Sequence, residues 1–449
     1  MTYSIIQKSQ LEGALRLDAE YYQPEYLIRI KKLKVFPTID LEEIAYITDG
    51  EHGSPIFDET SGIKYFSAQH VKDGYIDSTN AKNISTIIDE RNQRSRLVEN
   101  DILLSTVGTI GFAGLITKNL LPGNIDRHVA RIALKEKDLD PEFLVAFLNS
   151  KYGKFQSIRE STGNVQLNLF LSKIRRFKIP KNNSSKISRS VKKALEELEN
   201  SKKIYFQAKG LLLEKLGLAG EKFEDELSYV MNSSDVKSAG RIDANYFQPK
   251  YNKLISKIKQ KSKICQLQEI AVVKRGSLID PKFYNEAKGT PYIRGKDFST
   301  GYLAESNLVY IRKEFLAKNE TKVKAGDLVF TSIGSVGALA LVKEKFHDSF
   351  ISNNTGKIAI KDKLIPEYLV LVLQSVVGRL QFEKESTRTA QPKISDSQVK
   401  SFKVPILSKS TQQKIANLIR QSHQARRKSK QLLEGAKKEV EGMIEKSSN

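Results

Sequence analysis

The sequence predicts an α+β protein in which two tandem homologous domains of mixed α and β structure are separated and joined by two long helices that form an antiparallel coiled coil. Three observations predict this class. The 449 residues exceed what one hydrophobic core usually serves. A segment near the N-terminus recurs almost unchanged 225 residues later. Each copy is followed by a long proline-free stretch whose apolar residues have helical spacing.

The internal repeat determines the domain organisation. The matching blocks, at an offset of 225 to 227 residues, are RLDAEYYQPEY (16–26) with RIDANYFQPKY (241–251), GIKYFSAQHVKDGYI (62–76) with GTPYIRGKDFSTGYL (289–303), DILLSTVGTIG (101–111) with DLVFTSIGSVG (327–337), DPEFLVAFLNSKYG (140–153) with IPEYLVLVLQSVVG (365–378), and FKIP (177–180) with FKVP (402–405). We therefore place the first domain at 1–180, a central helix and linker at 181–240, the second domain at 241–407 and a C-terminal helix at 408–449.

The segments 186–217 and 411–445 predict the two long helices. Their apolar or small residues recur at three-, four- and seven-residue spacing and form one stripe. The stripe positions are Ile187, Val191, Ala194, Leu198, Tyr205, Ala208 and Leu212 in the first helix and Ile415, Leu418, Ser422, Ala425, Leu432, Ala436, Val440 and Met443 in the second. Polar residues dilute the stripe, which favours an antiparallel pair over a strong parallel zipper.

Two blocks predict the structure inside each domain. DILLSTVGTIG and DLVFTSIGSVG are typical of a buried strand that runs into a glycine turn, and DPEFLVAFLNS and IPEYLVLVLQS are typical of helices that begin with proline. Gly-Tyr pairs mark further turns and strands. We expect a small curved sheet with helices on one side.

Charge and composition restrict the function. A net charge of +22 and a pI near 9.6 suit a polyanionic partner such as nucleic acid. The longest apolar run, YLVLVL (368–373), is too short to cross a bilayer, and the N-terminus lacks the pattern of a signal peptide, so a cytoplasmic location is expected. Cys265 is the only cysteine and the five histidines show no HExxH spacing, so no disulfide and no metal site is predicted.

Glycine-rich strings do not predict a nucleotide site. TVGTIGFAG has glycines at 108, 111 and 114, which is not the GxGxxG spacing, and the second copy keeps only two of them, so we interpret them as turn formers after a strand. GTPYIRGKD (289–297) has five residues between its glycines, and Asp297 stands where a P-loop needs Ser or Thr. No catalytic residue is predicted.

Charged and proline-containing motifs also favour structure over catalysis. DPEF (140–143) and DPKF (280–283) lack the second proline of an amino-methylating tetrapeptide. The repeated pairs Arg16–Asp18 and Arg241–Asp243 are interpreted as structural ion pairs, since each lies in its own copy of the motif.

The repeated blocks resemble the target recognition domains of specificity (S) subunits of type I restriction–modification systems. The resemblance rests on the D-A-x-Y-[YF]-x-P opening, the D-[IL]-[LV]-x-[ST]-x-x-G-x-[IV]-G block, the P-E-[FY]-L helix and the final [FI]-x-[IV]-P before a long helix. DGEHGSP (49–55) is similar to the aspartate–glycine–histidine–proline stretch of the family, from which KRGSLIDP (274–281) departs. The resemblance covers the whole chain.

The resemblance implies a DNA-reading subunit that is not itself an enzyme. Each domain would read one half of a split double-stranded DNA target, and the helices would set the spacing and dock two modification (methyltransferase) subunits. Those partners would carry S-adenosylmethionine, and restriction (translocase) subunits that use ATP and Mg would join them. No cofactor is expected in this chain.

Polar and basic loops between the blocks are the candidates for DNA contact, because Arg, Lys, Asn and Gln read base edges and any cation binds phosphate. The candidates are His52, Gln69, His70, Arg91, Arg94, Arg96, Arg127, His128, Gln166 and Asn168 in the first domain and Lys274, Arg275, Arg294, Lys296, Asn353, Asn354, Arg388, Thr389, Gln391 and Lys393 in the second.

Three details refine this set. In GTPYIRGKD, tyrosine and isoleucine are expected to alternate along a buried strand that leaves Arg294 and Lys296 on the other face. Gln166 and Gln391 align, which favours a shared backbone role. In ERNQRSR (90–96), three arginines indicate either DNA contact or a solvated face.

Two other functions remain open from the sequence. The charge alone allows a stand-alone DNA- or RNA-binding architectural protein. A nuclease with a non-standard site built from scattered carboxylates is the third possibility.

Overall fold

The computed structural model describes residues 4–8, 11, 16–135, 139–163, 166–181, 184–285, 288–299, 301–304, 308–315, 320–361, 364–387 and 389–446. The chain forms two compact units. Unit 1 comprises residues 1–200 and 425–449, and unit 2 comprises residues 201–424. Each unit therefore contains one repeat and a segment of each long helix. The division of the chain into four segments, which follows the repeat blocks, stays a prediction.

The first repeat and its following helix contain ten strands and seven α-helices among the described residues. The strands are β1 (Thr38–Asp40), β2 (Ala45–Thr48), β3 (Lys64–Phe66), β4 (Gly74–Tyr75), β5 (Lys82–Asn83), β6 (Ile102–Ser105), β7 (Ala113–Leu115), β8 (Gly123–Ile125), β9 (Val129–Leu134) and β10 (Lys178–Pro180), and the helices are α1 (Pro24–Val35), α2 (Leu41–Ile44), α3 (Thr86–Arg91), α4 (Pro141–Asn149), α5 (Lys151–Glu160), α6 (Leu171–Ile174) and α7 (Ser185–Lys215).

The described residues that follow contain the elements of the second repeat. The helices are α8 (Ser233–Ala239), α9 (Pro249–Lys261), α10 (Leu267–Ile270), α11 (Pro366–Gln374), α12 (Val376–Glu385), α13 (Asp396–Lys400) and α14 (Lys409–Lys446), and the strands are β11 (Lys263–Gln266), β12 (Ala271–Arg275), β13 (Tyr284–Asn285), β14 (Thr290–Ile293), β15 (Phe298–Ser299), β16 (Tyr302–Leu303), β17 (Val309–Ile311), β18 (Leu328–Thr331), β19 (Leu339–Leu341), β20 (Phe350–Ile351), β21 (Thr355–Ile360) and β22 (Lys403–Ile406).

The main sheets of the two units share one strand order. In unit 1 the order is β2-β9-β6-β7-β4, and in unit 2 it is β12-β21-β18-β19. Smaller sheets accompany them, with orders β5-β3-β8 and β1-β10 in unit 1 and β13-β17-β14-β20, β11-β22 and β15-β16 in unit 2. The mixed α and β composition and the duplication are confirmed. The expectation of one small sheet in each domain is incomplete, because residues of the repeat blocks such as Lys64–Phe66 and Lys178–Pro180 form strands of separate smaller sheets.

The predicted strand and helix of the repeat blocks are present in both units. β6 and β18 are fully buried, as expected of the central strands of a covered sheet. α4 and α11 begin with the predicted prolines, which supply the fixed φ of a first helical turn. In α4 every residue from Phe143 to Asn149 is buried. This helix therefore packs on more than one side.

The turn after the buried strand requires glycine. Gly108 and Gly111 have φ angles of 74° and 79°, and Gly334 and Gly337 have φ angles of 81° and 88°. Side chains rarely adopt this region. A Cβ at Gly111 would lie 2.7 Å from the Cβ of Ser157. The interpretation as turn formers is confirmed for these glycines and is wrong for Gly114, which lies in β7 because the chain has already left the turn there.

The two long helices pack against each other in antiparallel orientation within each unit. In unit 1, Lys186 of α7 forms a 2.9 Å ion pair with Glu439 of α14, and Glu197 pairs with Lys428, so residue numbers rise along one helix as they fall along the other. Of the predicted stripe, Ile187, Val191, Ala194, Leu198, Ala208, Leu212, Ile415, Ser422, Ala425, Ala436 and Val440 are buried, and Tyr205, Leu418, Leu432 and Met443 are partly buried.

The repeated Arg–Asp motif is structural, as the sequence predicts. Arg16 donates to Asp18 from Nε at 2.9 Å and from Nη2 at 2.7 Å, and its guanidinium lies 4.2 Å from the ring centre of Tyr21. Arg241 and Asp243 repeat this geometry at 2.8 and 3.1 Å. The hydrogen bonds from each arginine hold the pKa of its aspartate below the usual value.

Within the described part of the chain, no helix combines the length and the apolar character needed to cross a membrane.

Gly111→Ala should destabilise the protein more than Gly108→Ala. Both changes place a side chain at positive φ, at a cost of about 1–2 kcal/mol. A Cβ at Gly108 would meet nothing within 4 Å, whereas at Gly111 overpacking adds about 1–3 kcal/mol. Urea unfolding midpoints of the two variants provide the comparison, and equal midpoints would contradict the close contact at Gly111.

Candidate nucleic-acid interface

In unit 1 the loops that carry most candidate residues meet at one place. The backbone N–H of Glu51 donates to Ile125, and that of Arg127 donates to Glu51, each at 3.1 Å. The N–H of Thr106 donates to His128 at 3.0 Å, and the loop before α6 joins through Thr106 as well. We name this region loop surface 1 and define it as residues 49–55, 91–96, 106–109, 126–128 and 166–169.

Asp49 orients an arginine and a histidine of loop surface 1. Its carboxylate accepts a 2.9 Å hydrogen bond from Nη2 of Arg94 and lies 2.8 Å from Nε2 of His52. The side chains of Arg94 and His52 are both about 60% exposed. Since the carboxylate restricts their rotamers while their heads stay in water, both groups are positioned to meet a ligand at the surface.

A buried carboxylate holds the frame of the same surface together. Glu51 accepts from the backbone N–H of Gly53 at 2.6 Å and from the side-chain amide of Asn92 at 2.5 Å. These hydrogen bonds, led by the one from Gly53, lower the pKa of Glu51. The carboxylate therefore stays ionised and fixes the loop after β2 to the end of α3. The exposed Arg91 lies 3.9 Å from it.

The other candidates of the first repeat differ in accessibility. Arg127 is exposed and donates to Nε2 of the half-buried His128 at 3.2 Å, and Arg96 pairs with Asp89 at 2.7 Å with 44% of its side chain exposed. Gln69 and Gln166 are exposed and Asn168 is partly buried.

His70 does not fit the predicted role. His70 is only 6% exposed, and its Nδ1 accepts a 2.8 Å hydrogen bond from the backbone N–H of Ser67. Burial lowers the pKa of the imidazole, which keeps the ring neutral. His70 caps a turn inside the domain, and we remove it from the set of DNA-contacting residues.

Unit 2 forms a similar surface, and four of its five segments correspond to segments of loop surface 1. The N–H of Gly276 donates to Thr355, that of Ser332 donates to Asn354, and that of Gly334 donates to Pro392, all at 2.9 Å. We name this region loop surface 2 and define it as residues 274–280, 294–297, 332–335, 352–354 and 389–393.

Two arginines of loop surface 2 are engaged inside the domain. Arg275 donates from Nη2 to the carbonyl of Ile394 at 2.6 Å. β14 ends at Ile293, so Arg294 begins a turn and its Nε donates to the buried Asp297 at 3.3 Å. The expected alternation is wrong, because Tyr292 is buried as well as Ile293. Arg294 therefore belongs to the frame of the loop.

Of the exposed candidates of the second repeat, Lys274 lies near the end of β12 and the others lie outside the strands. The exposed candidates are Lys274, Lys296, Asn354, Thr389, Gln391 and Lys393, while Asn353 is partly buried and Arg388 lies outside the described residues. The carbonyl of Gln391 accepts from Thr389, and that of the aligned Gln166 accepts from Asn168. Both glutamines thus use their backbone, in agreement with their expected role.

Sequence reasoning missed Asp49, since an acidic residue is not expected on a surface that binds a polyanion. The feature of the sequence that could have indicated Asp49 is its position in DGEHGSP, three residues before His52. In the part of the chain that the structure describes, no group of three or more His, Cys, Asp or Glu residues could hold a metal ion.

Comparison with known proteins identifies the relatives. Residues 259–435 match the family described as type I restriction modification DNA specificity domain. A stretch of 93 residues is 37% identical to the EcoBI specificity subunit of a type I restriction enzyme from Escherichia coli, and it covers 21% of this chain and 19% of that protein. The match thus spans about a fifth of the length of this curated relative.

Solved structures give further similarities. The S subunit of a type I restriction–modification system from M. genitalium has 15% identity and a TM-score of 0.40 over 92% of this chain and 96% of its own. The HsdS subunit from Thermoanaerobacter tengcongensis has 14% identity and a TM-score of 0.32 over 92% and 96%.

The family profile covers most of the second repeat and part of the last helix, and the first repeat carries the same sequence blocks on a main sheet of the same strand order. Residues 259–435 therefore match the type I restriction modification DNA specificity domain, and the first repeat carries a second copy of the same sequence blocks.

Proposed function

We propose that this chain is the non-catalytic, sequence-reading subunit of a type I restriction–modification complex, and that each repeat binds one half of a bipartite double-stranded DNA target. One observation carries the proposal. The same loops of the same sheet converge in both units, yet their exposed side chains differ. A duplicated frame with different loops suits two readers of different sequences, since the side chains that reach the base edges are the ones that specify the sequence.

The chemistry of the two surfaces supports contact with DNA. The net charge of +22 favours release of counterions from the phosphate backbone. On loop surface 1 the exposed cations are Arg91, Arg94, Arg96 and Arg127, and on loop surface 2 they are Lys274, Lys296 and Lys393. Arginine in a fixed orientation suits bidentate contact with guanine. Asp49 supplies that orientation for Arg94.

The partner proteins are inferred from the family that residues 259–435 match. We propose that two modification subunits dock on α7 and α14 and carry the S-adenosylmethionine for methylation, and that restriction subunits with ATP and Mg join them. A stand-alone architectural role is less favoured, because the repeat and the family profile both indicate a specificity subunit. Nothing favours the nuclease alternative.

The two surfaces should act independently. Arg94→Ala should weaken binding to the first half-site by about 1–3 kcal/mol if the guanidinium contacts guanine, and leave the preference at the second half-site intact. Lys296→Ala should affect the second half-site only, and Lys31→Ala, exposed on α1 outside both surfaces, is the control. Binding is measured on targets with each half-site mutated in turn. Equal loss at both half-sites in either surface variant would refute independent reading.

The purified chain should show no DNA methylation, ATP hydrolysis or cleavage, and should support methylation only after a modification subunit is added. The reason is that no string of the chain satisfies a P-loop or an amino-methylating motif. Transfer of labelled methyl groups from S-adenosylmethionine to DNA is the measurement. Transfer by the isolated chain would overturn the proposal.

We further propose that helix length sets the distance between the half-sites. Four residues inserted near Lys202 add about 6 Å of rise and roughly preserve the buried face, so the preferred spacer should grow by about one or two base pairs. Two inserted residues rotate the stripe by about 200° and should impair folding. Selection from a library with randomised spacers tests this. An unchanged spacer in a well-folded four-residue variant would leave the helices as a docking surface only.

A further inference from the structure

Unit 2 contains a cavity of about 390 Å³ between α9, α12 and the start of β22, formed by none of the residues of loop surface 2. Three lysines line it, namely Lys259, Lys384 and Lys403, together with one acid, Glu385. The apolar part of the wall includes Tyr251, Leu254, Leu380 and Phe402. The cavity therefore combines an excess of positive charge with an apolar wall.

In repeat 1 an acidic residue balances the positive charge of the lysine that is equivalent to Lys403. On the strand pair β1–β10, Lys178 lies opposite Asp40 and forms an ion pair with it. On the strand pair β11–β22, Lys403 lies opposite Gln266. The two strand pairs have the same register, and both Asp40 and Gln266 begin a capping box, so the positions are equivalent. Repeat 2 thus has an amide where repeat 1 has the carboxylate.

Lys384 is a second lysine whose burial is only partly offset by a nearby acid. Its ammonium group lies 4.7 Å from the ring centre of Tyr246 and 5.9 Å from that of Tyr251. Burial lowers the pKa of Lys384, and the nearby Glu385 does not offset that effect. An anion bound beside this lysine would supply the missing compensation.

The space arises from side chains and not from a change of the backbone. Gln381 bonds to both the N–H and the carbonyl of Lys403, as Gln156 does to Lys178 in repeat 1. At three aligned positions the lining residue of repeat 2 is the smaller one, with Leu380 for Phe155, Ser401 for Arg176 and Ser256 for Lys31. The same frame therefore leaves more room in repeat 2.

We propose that this cavity binds the phosphate group of a phosphate monoester about the size of a mononucleotide. Lysine is a compact point charge that suits phosphate, and three lysines against one carboxylate suit a dianion. The volume lies within the range of about 300–1,000 Å³ typical of small-molecule sites. Tyr251 and Phe402 offer aromatic surface to a base or another flat group. The phosphate comes either from a free small molecule or from an end of DNA.

The test uses the full-length chain with adenosine monophosphate and inorganic phosphate as probes, in calorimetric titrations at constant ionic strength set with chloride. The double variant Lys384→Gln/Lys403→Gln should weaken binding of both probes at least tenfold. The variant Ser256→Gln/Ser401→Gln fills the same space without adding charge and should weaken the monophosphate more than inorganic phosphate. Lys253→Gln, exposed on α9 and not part of the lining, should bind both probes as the unaltered chain does.

The proposal is overturned if the unaltered chain binds neither probe, or if the double lysine variant, with an unchanged melting temperature, binds them equally well. Competition distinguishes the two sources of phosphate. If 5′-phosphorylated duplex displaces the monophosphate and the same duplex without 5′-phosphates does not, the ligand is a DNA end. If neither duplex displaces it, the ligand is a free small molecule. Half-site binding by the Arg94→Ala variant is measured separately, so failure of the DNA-reading proposal would not be mistaken for failure of this one.

Discussion

The burial of the P-E-[FY]-L helix is the constraint on which each unit depends. In unit 1, α4 is buried from Phe143 onward, so the main sheet alone does not cover it. The same core contains Val191 of α7 and Val440 of α14, two residues separated by most of the chain. Because burial of apolar surface is the main stabilising force, the unit folds only when these distant segments meet. The strands of the main sheet, and with them the loops of the candidate interface, take their positions from that core.

Comparison between the two repeats distinguishes the residues that stabilise the loops from the exposed residues that could contact a ligand. Ser105 and Thr331 occupy the same place at the end of the buried strand, and each hydroxyl donates to a backbone carbonyl of the glycine turn that follows. Such contacts recur because a buried polar group needs a partner. At the exposed ends of the same loops the repeats share little, with His128 in one and Asn354 at the corresponding place in the other. Divergence at exposed positions on an unchanged frame is what two independent readers require.

Much of the fold was predictable from the sequence, because its signals are local or repeated. Self-similarity predicted the duplication that both main sheets display, and the helical spacing located α7 and α14 to within two residues at each end. The side chains of the candidate site were less predictable. Whether an arginine meets water or another residue depends on a neighbour that periodicity does not reveal. Asp297 lies only three residues after Arg294, so that pair could have been expected, but nothing local indicates that His70 is buried against its own turn.

The cavity of repeat 2 is basic because an acid that is present in repeat 1 has been replaced. An ion pair across two strands depends on two residues far apart in sequence, here Asp40 and Lys178, and replacement of the acid alone leaves the lysine in place. In repeat 2 the lysine remains at position 403 opposite Gln266, and Lys384 nearby is half-buried. Lysines that lie close together beside apolar side chains reduce the stability of the folded state unless an anion balances their charge. The cost is offset whenever an anion occupies the cavity, so the binding of a phosphate monoester and the stability of unit 2 should be linked.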